Sequence, residues 1–190
     1  MKRYLFPNMY VDSILDIPFE QLWDAGIRAF LLDLDNTVTE WNRMEISEEI
    51  IRWVEAARNH GFQACLLSNN DSHRRVFGVA EKLGVPYILK ARKPRNRGFA
   101  KAMQLLGTRP EETAVVGDQV FTDVLGGNRM GMYTILVVPM NPREFLGTRF
   151  MRQIERFVLR DIREAADRGD INNLPEVKNG KESDKPDKTG

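Results

Sequence analysis

The sequence predicts an α/β fold in which a doubly wound parallel sheet carries helices on both faces. Short β-rich apolar runs recur along the chain, they show little polar alternation, and a segment of helical periodicity follows most of them. The runs are residues 28–32, 63–67, 85–89, 113–116 and 133–138. Parallel strands covered on both faces need no polar face, so the weak alternation is itself informative. Strand then helix, repeated, gives a parallel sheet with right-handed crossovers.

The helices are placed by their ends. Ser47 is a candidate N-cap for a helix that carries Ile50, Ile51, Trp53, Val54 and Ala57 and stops at Gly61. A second helix, 72–83, packs Val76, Phe77 and Ala80 before Gly84. A third, 96–106, buries Phe99, Met103 and Leu106 before Gly107. A fourth follows Asp118, with Val120, Val124 and Leu125 inward and Gly131 as terminator. Ahead of the first strand, Tyr10, Val11, Ile14, Leu15 and Leu22 form a lead-in that packs on the sheet. Residues 1–168 form one domain, and 169–190 turn to Asn, Lys, Glu, Asp, Pro and Gly, a composition expected to be disordered.

Composition narrows the class. The 190 residues are 42% hydrophobic and 29% charged, with a formal net charge of +1, so no global charge favours nucleic acid as a partner. One cysteine, Cys65, excludes an internal disulfide framework; inside an apolar run it reads as a small buried hydrophobe in a reducing compartment. No apolar stretch approaches the ~18 residues that cross a bilayer, and 1–7 lacks the apolar core of a signal peptide. The expected place is the cytoplasm, with peripheral contact at the inner face of the membrane.

In open α/β sheets, chemistry collects at the carboxyl ends of the strands. The residues just past the first four runs are Asp33-Leu34-Asp35-Asn36-Thr37, Ser68-Asn69-Asn70-Asp71, Lys90 to Lys93-Pro94, and Gly117-Asp118. If the first strand turns at its end, Asp33 can attack phosphorus while Asp35 gives a proton to the leaving group and takes one from water. A carboxylate approaches a phosphate dianion only when charge is neutralised. Asp118 and Asp123, with Asp33 and the backbone carbonyl of Asp35, suit magnesium for that task. Ser68 and the backbone N–H groups after it face phosphate, Lys93 supplies a fixed positive charge, and Thr37 positions the phosphate or fixes the turn. The amides Asn36, Asn69 and Asn70 complete the phosphate-binding set. Taken singly, Asp118, Ser68 and Asn70 also read as helix caps, Asp123 as an exposed first-turn carboxylate, and Lys93 as a solvated side chain.

Together the residues resemble the haloacid dehalogenase-like phosphohydrolase superfamily. Its Asp-x-Asp-x-Thr signature stands at Asp33-Leu34-Asp35-Asn36-Thr37. The second motif is Ser68 after Leu66-Leu67, the third Lys93 before Pro94, and the fourth Gly117-Asp118 with Asp123. The resemblance implies a three-layer Rossmannoid sandwich with the nucleophile strand at the centre of its sheet. More narrowly, Asp-Leu-Asp-Asn-Thr, Leu-Ser-Asn-Asn, Ala-Arg-Lys-Pro and Gly-Asp-Gln-Val-Phe-Thr-Asp are similar to the subgroup IIIA phosphatases of the YqeG type. These are related to the mitochondrial phosphatidylglycerophosphate phosphatase.

The spacing leaves no room for a cap domain. One helix and one strand fill the interval from Thr37 to Ser68, and again from Ser68 to Lys93, so Trp41 to Met44 form a short flap at most. An open site suits a phosphate on something bulky. Near the C-terminus, 145–168 has Phe150, Ile154, Phe157, Val158 and Ile162 at helical spacing, among Arg149, Arg152, Arg156, Arg160 and Arg163. Such a basic amphipathic helix suits an anionic lipid surface through 145–163, or packs its apolar stripe on the protein's own sheet. The expected substrate is phosphatidylglycerophosphate; the alternatives are another bulky or soluble phosphomonoester, or a non-catalytic binding module.

Overall fold

The computed structural model describes residues 2–141 and 149–171, the side chains of 2–3 and 149–157 excepted. Six strands form one sheet: β1 (Met9–Val11), β2 (Ala29–Leu32), β3 (Gln63–Leu67), β4 (Tyr87–Ile88), β5 (Thr113–Gly117) and β6 (Tyr133–Val137). Their order is β1-β6-β5-β2-β3-β4 and every pairing is parallel. The strand that leads to Asp33 therefore lies between β5 and β3, away from both edges.

Successive side chains of β2 point to opposite faces. Phe30 and Leu32 join one buried cluster with Trp53, Val54, Val76 and Val79, which come from α2 (Glu48–His60) and α3 (His73–Leu83). Ala29 and Leu31 join another with Phe99, Ala102 and Met103 from α4 (Asn96–Leu106). Sheet and helices thus form three layers. That is the arrangement the haloacid dehalogenase-like resemblance implies, and among the described residues no cap domain is inserted between its elements. Cys65 is buried in the second cluster, where desolvation pushes its thiol up to about 12 and leaves it inert.

The helix ends follow the sequence. Ser47 and Ser72 accept from the backbone N–H groups of Ile50 and Arg75, and Gly61, Gly84 and Gly107 close α2, α3 and α4 in the left-handed region.

Four elements differ from expectation. The lead-in supplies a sixth strand: β1 pairs with β6, while Asn8 and Thr134 exchange backbone and side-chain hydrogen bonds at its start. A short helix, α1 (Phe19–Asp24), follows it. The run at 85–89 pairs only over Tyr87 and Ile88, because Pro86 has no N–H to donate, although its carbonyl accepts from Leu66. The helix after Asp118 begins as a π turn, Val120–Val124, and becomes α5 only over Leu125–Met130. Phe77 is 42% exposed rather than packed, beside His73 and Tyr87. Its place in the buried stripe is taken by Arg75.

The last helix, α6 (Arg149–Asp167), places Ile162 and Ala165 in a buried cluster with Val120, Val124 and Leu136. Its second half thus packs on the protein's own fold. Ile171 joins the same cluster, so the fold runs past the boundary expected at 168. Phe145 and its neighbours at 142–148, and the tail at 172–190, lie outside the described residues, as do the side chains of Phe150, Ile154 and Phe157. Among the described residues no helix is long and apolar enough to cross a membrane.

Candidate active site

Asp33 follows β2 directly, and its N–H extends the ladder by donating to the Val116 carbonyl at 2.9 Å. The chain then turns sharply. Asn36 takes a left-handed conformation (φ 58°), its N–H donates to Thr39 at 2.7 Å, and the N–H of Thr39 returns to Leu34 at 3.1 Å. Asparagine tolerates this conformation better than most residues. The turn removes Asp35 from strand alternation and keeps both carboxylates buried at the sheet rim, at 6% and 7% exposure.

β5 brings Asp118 to the same rim, and the π turn after it brings Asp123. Oxygens of Asp33, Asp118 and Asp123 all lie within 4.8 Å of one another. Gly117 makes this possible: a Cβ at that position would stand 2.3 Å from the Asp123 carboxyl carbon. Asp123 Oδ2 accepts from the Gln119 N–H and the Thr122 hydroxyl, both at 3.3 Å, which fixes the carboxylate against the turn. An exposed first-turn carboxylate is therefore not its role.

Lys93 crosses the cluster. Its Nζ lies 2.5 Å from Asp33 Oδ1 and 2.6 Å from Asp123 Oδ1. Burial works to lower the ammonium's pKa, but Asp123 and Asp33 outweigh it and hold the group above its usual range. Lys90, the other lysine that follows β4, is exposed and forms no ion pair among the described residues.

Fully ionised, three carboxylates facing one ammonium would leave two negative charges in excess, a state the site resists unless a cation is bound. Burial raises Asp33 to about 7; Lys93 pulls it back and Asp123 pushes it up. Desolvation, with Asp33 and Asp123 adding to it, raises Asp118 to about 9. Neither oxygen of Asp118 has a hydrogen-bond partner. A divalent cation fits this donor set: hard oxygen ligands, an uncompensated double charge, and a carboxylate with both oxygens free. Asp35 is absent from the converging carboxylates, so only its backbone carbonyl remains as a ligand from that residue.

The remaining expected residues separate by what their groups already bond. Ser68 is buried after β3, and its Oγ accepts from the Asn70 N–H at 3.0 Å. Asn69 spends its amide on Lys93, accepting from the lysine N–H at 2.6 Å and donating to its carbonyl at 3.2 Å. Asn70 accepts from Ser72 N–H at 2.8 Å, the local bond that competes with any ligand. The Thr37 hydroxyl and Asn36 Oδ1 are buried with no partner, in the turn beside Asp33.

One neighbour was not foreseen. Arg75 of α3 is buried, its Nη1 lies 2.6 Å from Asp35 Oδ1, and its Nε donates to the Arg43 carbonyl at 2.8 Å. It joins Asp35 to the carbonyls of Glu40 and Arg43, at the segment 41–44 expected to form a short flap. Its signal was its phase: position 75 shares the stripe of Val76, Val79, Ala80 and Leu83, where a charge has to be paired. Asp35 Oδ1 also accepts from the Asn42 N–H at 3.2 Å. His73, by contrast, is exposed and bonds the Tyr87 hydroxyl at 3.0 Å.

With this geometry in hand, similarities to known proteins gain meaning. The family model described as "Mitochondrial PGP phosphatase" matches residues 1–140. The Bacillus subtilis (strain 168) protein named "Probable phosphatase YqeG" is 42% identical over 159 residues, which cover 84% of this chain and 92% of that protein. The mitochondrial phosphatidylglycerophosphatase GEP4 of Saccharomyces cerevisiae is 28% identical over 145 residues, covering 69% of this chain and 76% of that one. Among solved structures, an uncharacterized protein from Listeria monocytogenes serotype 4b superposes with a TM-score of 0.51 at 16% identity, over 65% of this chain and 87% of its own, a likeness of fold alone. A match over most of the chain, on a sheet that gathers three buried aspartates and a lysine at one rim, makes this chain a phosphatase of haloacid dehalogenase type that belongs to the PGP phosphatase family.

Proposed function

We propose that the chain is a magnesium-dependent phosphomonoesterase that converts phosphatidylglycerophosphate to phosphatidylglycerol through an acyl phosphate on Asp33. The convergence of Asp33, Asp118 and Asp123 around a buried Lys93 carries the proposal. Those three carboxylates and the Asp35 carbonyl would hold the ion, which when bound neutralises the phosphate and the excess negative charge of the pocket.

Asp33 then acts as nucleophile. One of its oxygens forms a bond to phosphorus as the bond from phosphorus to the lipid alkoxide breaks, and the alkoxide takes a proton from Asp35. A water molecule, losing its proton to Asp35, attacks the phosphorus of the acyl phosphate and returns Asp33 as a carboxylate. Lys93 orients Asp33 and offsets charge on the transferring group. Ser68 shapes the turn after β3, and the free Thr37 hydroxyl is available to a phosphate oxygen.

The lipid assignment draws on the family relationship and on the uncapped site. Among the described residues no inserted domain covers the rim, and residues 41–44 form at most a short flap, which suits a phosphate at the tip of a headgroup that stays at a bilayer surface. The first half of α6, with Arg149, Arg152 and Arg156, is the proposed membrane contact.

Phosphate release from vesicles containing phosphatidylglycerophosphate, with magnesium and with EDTA, tests this reading. Magnesium-dependent release, lost in Asp33→Asn, is the expected result. Turnover of a soluble ester with none of the lipid would refute the lipid assignment.

A further inference from the structure

The chain's near-neutral total conceals a local excess. Residues 82–110 contain eight Lys and Arg and no Asp or Glu, whereas the rest of the chain holds 20 basic against 27 acidic residues. Part of that excess surrounds one recess of about 340 Å³, lined by Lys90, Arg92, Arg95, Arg97 and Lys101 and by small or apolar residues of β4, the loop after it and α4. All five cations are exposed, and none makes an ion pair with any described residue.

This arrangement works against stability. Arg97 and Lys101 are like charges four residues apart on α4, a spacing that costs a few tenths of a kcal/mol. Lys90 and Arg92 both take the left-handed region, at φ 51° and 56°, which side chains without a special reason avoid. Arg95 sits at the α4 N-cap without a side-chain cap bond, and no acidic residue occupies the first turn. The recess thus combines five unpaired cations with the positive end of a helix, a combination that an anion would relieve.

Its location decides which anion. Ala91 and Arg92 stand one and two positions before Lys93, and Lys93 contacts Asp33. Two residues of chain span at most ~7 Å. The recess therefore borders the reaction centre, yet no catalytic carboxylate lines it. We propose that it is a second anion site, which holds the non-reacting phosphodiester of the substrate while the phosphomonoester lies at Asp33. The inference rests on the lipid reading and sharpens it: a phosphomonoester joined through a three-carbon linker to a phosphodiester is recognised at both ends. Arginine's planar fork suits such a diester better than a point charge does.

The test compares two soluble compounds, the deacylated headgroup with both phosphates and p-nitrophenyl phosphate with one, on wild type and Arg97→Gln/Lys101→Gln. The ratio of kcat/KM for the two-phosphate compound to that for the one-phosphate compound should fall about tenfold in the variant, through KM. The Arg97→Lys/Lys101→Arg variant should restore most of it. An unchanged ratio overturns the inference, and so does a defect that appears only on vesicles, which would assign the cations to neighbouring lipids. Failure of wild type to hydrolyse either the lipid or its headgroup would refute the substrate reading instead. In that event titration with glycerophosphoglycerol, read by amide NMR shifts over 88–101, still decides the recess: shifts support an anion site for a phosphodiester, and their absence overturns it.

Discussion

The guanidinium of Arg75 stands 2.6 Å from Asp35 Oδ1, with both side chains under one-tenth exposed. The carboxylate proposed as general acid and base is thereby held in one orientation by a cation on a neighbouring helix. The same guanidinium donates to the carbonyls of Arg43 and Glu40, so one cation ties Asp35 to the segment that follows its turn.

Arg75 is accordingly a positioning residue. Arg75→Ala should lower kcat on p-nitrophenyl phosphate about 10- to 100-fold as Asp35 loses its fixed orientation. Arg75→Lys should recover part of kcat, since a point charge replaces one contact of the fork. A variant that merely unfolds would lose its cooperative transition; steady-state kinetics beside urea unfolding separates the two cases.

Gly117 is required for space rather than for backbone freedom. Gly117→Ala places a methyl group 2.3 Å from the Asp123 carboxyl carbon, so the carboxylate has to leave the cluster. Magnesium affinity measured by calorimetry should fall at least tenfold, with an overpacking cost to stability of about 1–3 kcal/mol. Unaltered affinity would show that Asp123 is not a ligand.

Asp118 couples stability to pH. Its pKa is raised to about 9 from an ordinary value near 3.8, so the folded state holds a proton that the unfolded chain releases. Stability of the metal-free protein should therefore fall as pH rises from about 4 to about 9. Asp118→Asn removes that share of the slope and should melt at a higher temperature than wild type at pH 8 in EDTA. Added magnesium should raise the melting temperature of wild type and have little effect on the variant. Thermal melts at pH 5 and pH 8, with and without the ion, check both signs.

Ile162 tests the seat of α6. It is fully buried against Val120, Val124 and Leu136, so Ile162→Ala should cost about 2–5 kcal/mol in urea unfolding. A loss below ~1 kcal/mol would mean that the helix does not pack there.

What the sequence made legible follows from periodicity and caps. β2, β3, β5 and β6 were visible as apolar runs, and α2 to α4 as stripes ending at Gly61, Gly84 and Gly107, because burial on both faces leaves a plain signal. β1 escaped notice because three half-buried residues at an edge make no pattern. The stripe of α3 misled at Phe77: hydrophobicity placed that ring inward, whereas Arg75 occupies the inner position because Asp35 is there to pair with it. A cation whose partner lies forty residues away cannot be read from local spacing. Asn69 shows the same limit, since its bonds to Lys93 exist only once the loops after β3 and β4 meet.

Covalent chemistry at Asp33 is the claim on which the mechanism turns. Wild-type enzyme quenched in acid during turnover, reduced with borohydride and digested, should yield the Asp33 peptide with that aspartate converted to homoserine. Asp33→Asn and EDTA-treated enzyme should yield none. Magnesium-dependent phosphate release with no modification at Asp33 under any of these conditions would contradict the account, and would assign the attack on phosphorus to water.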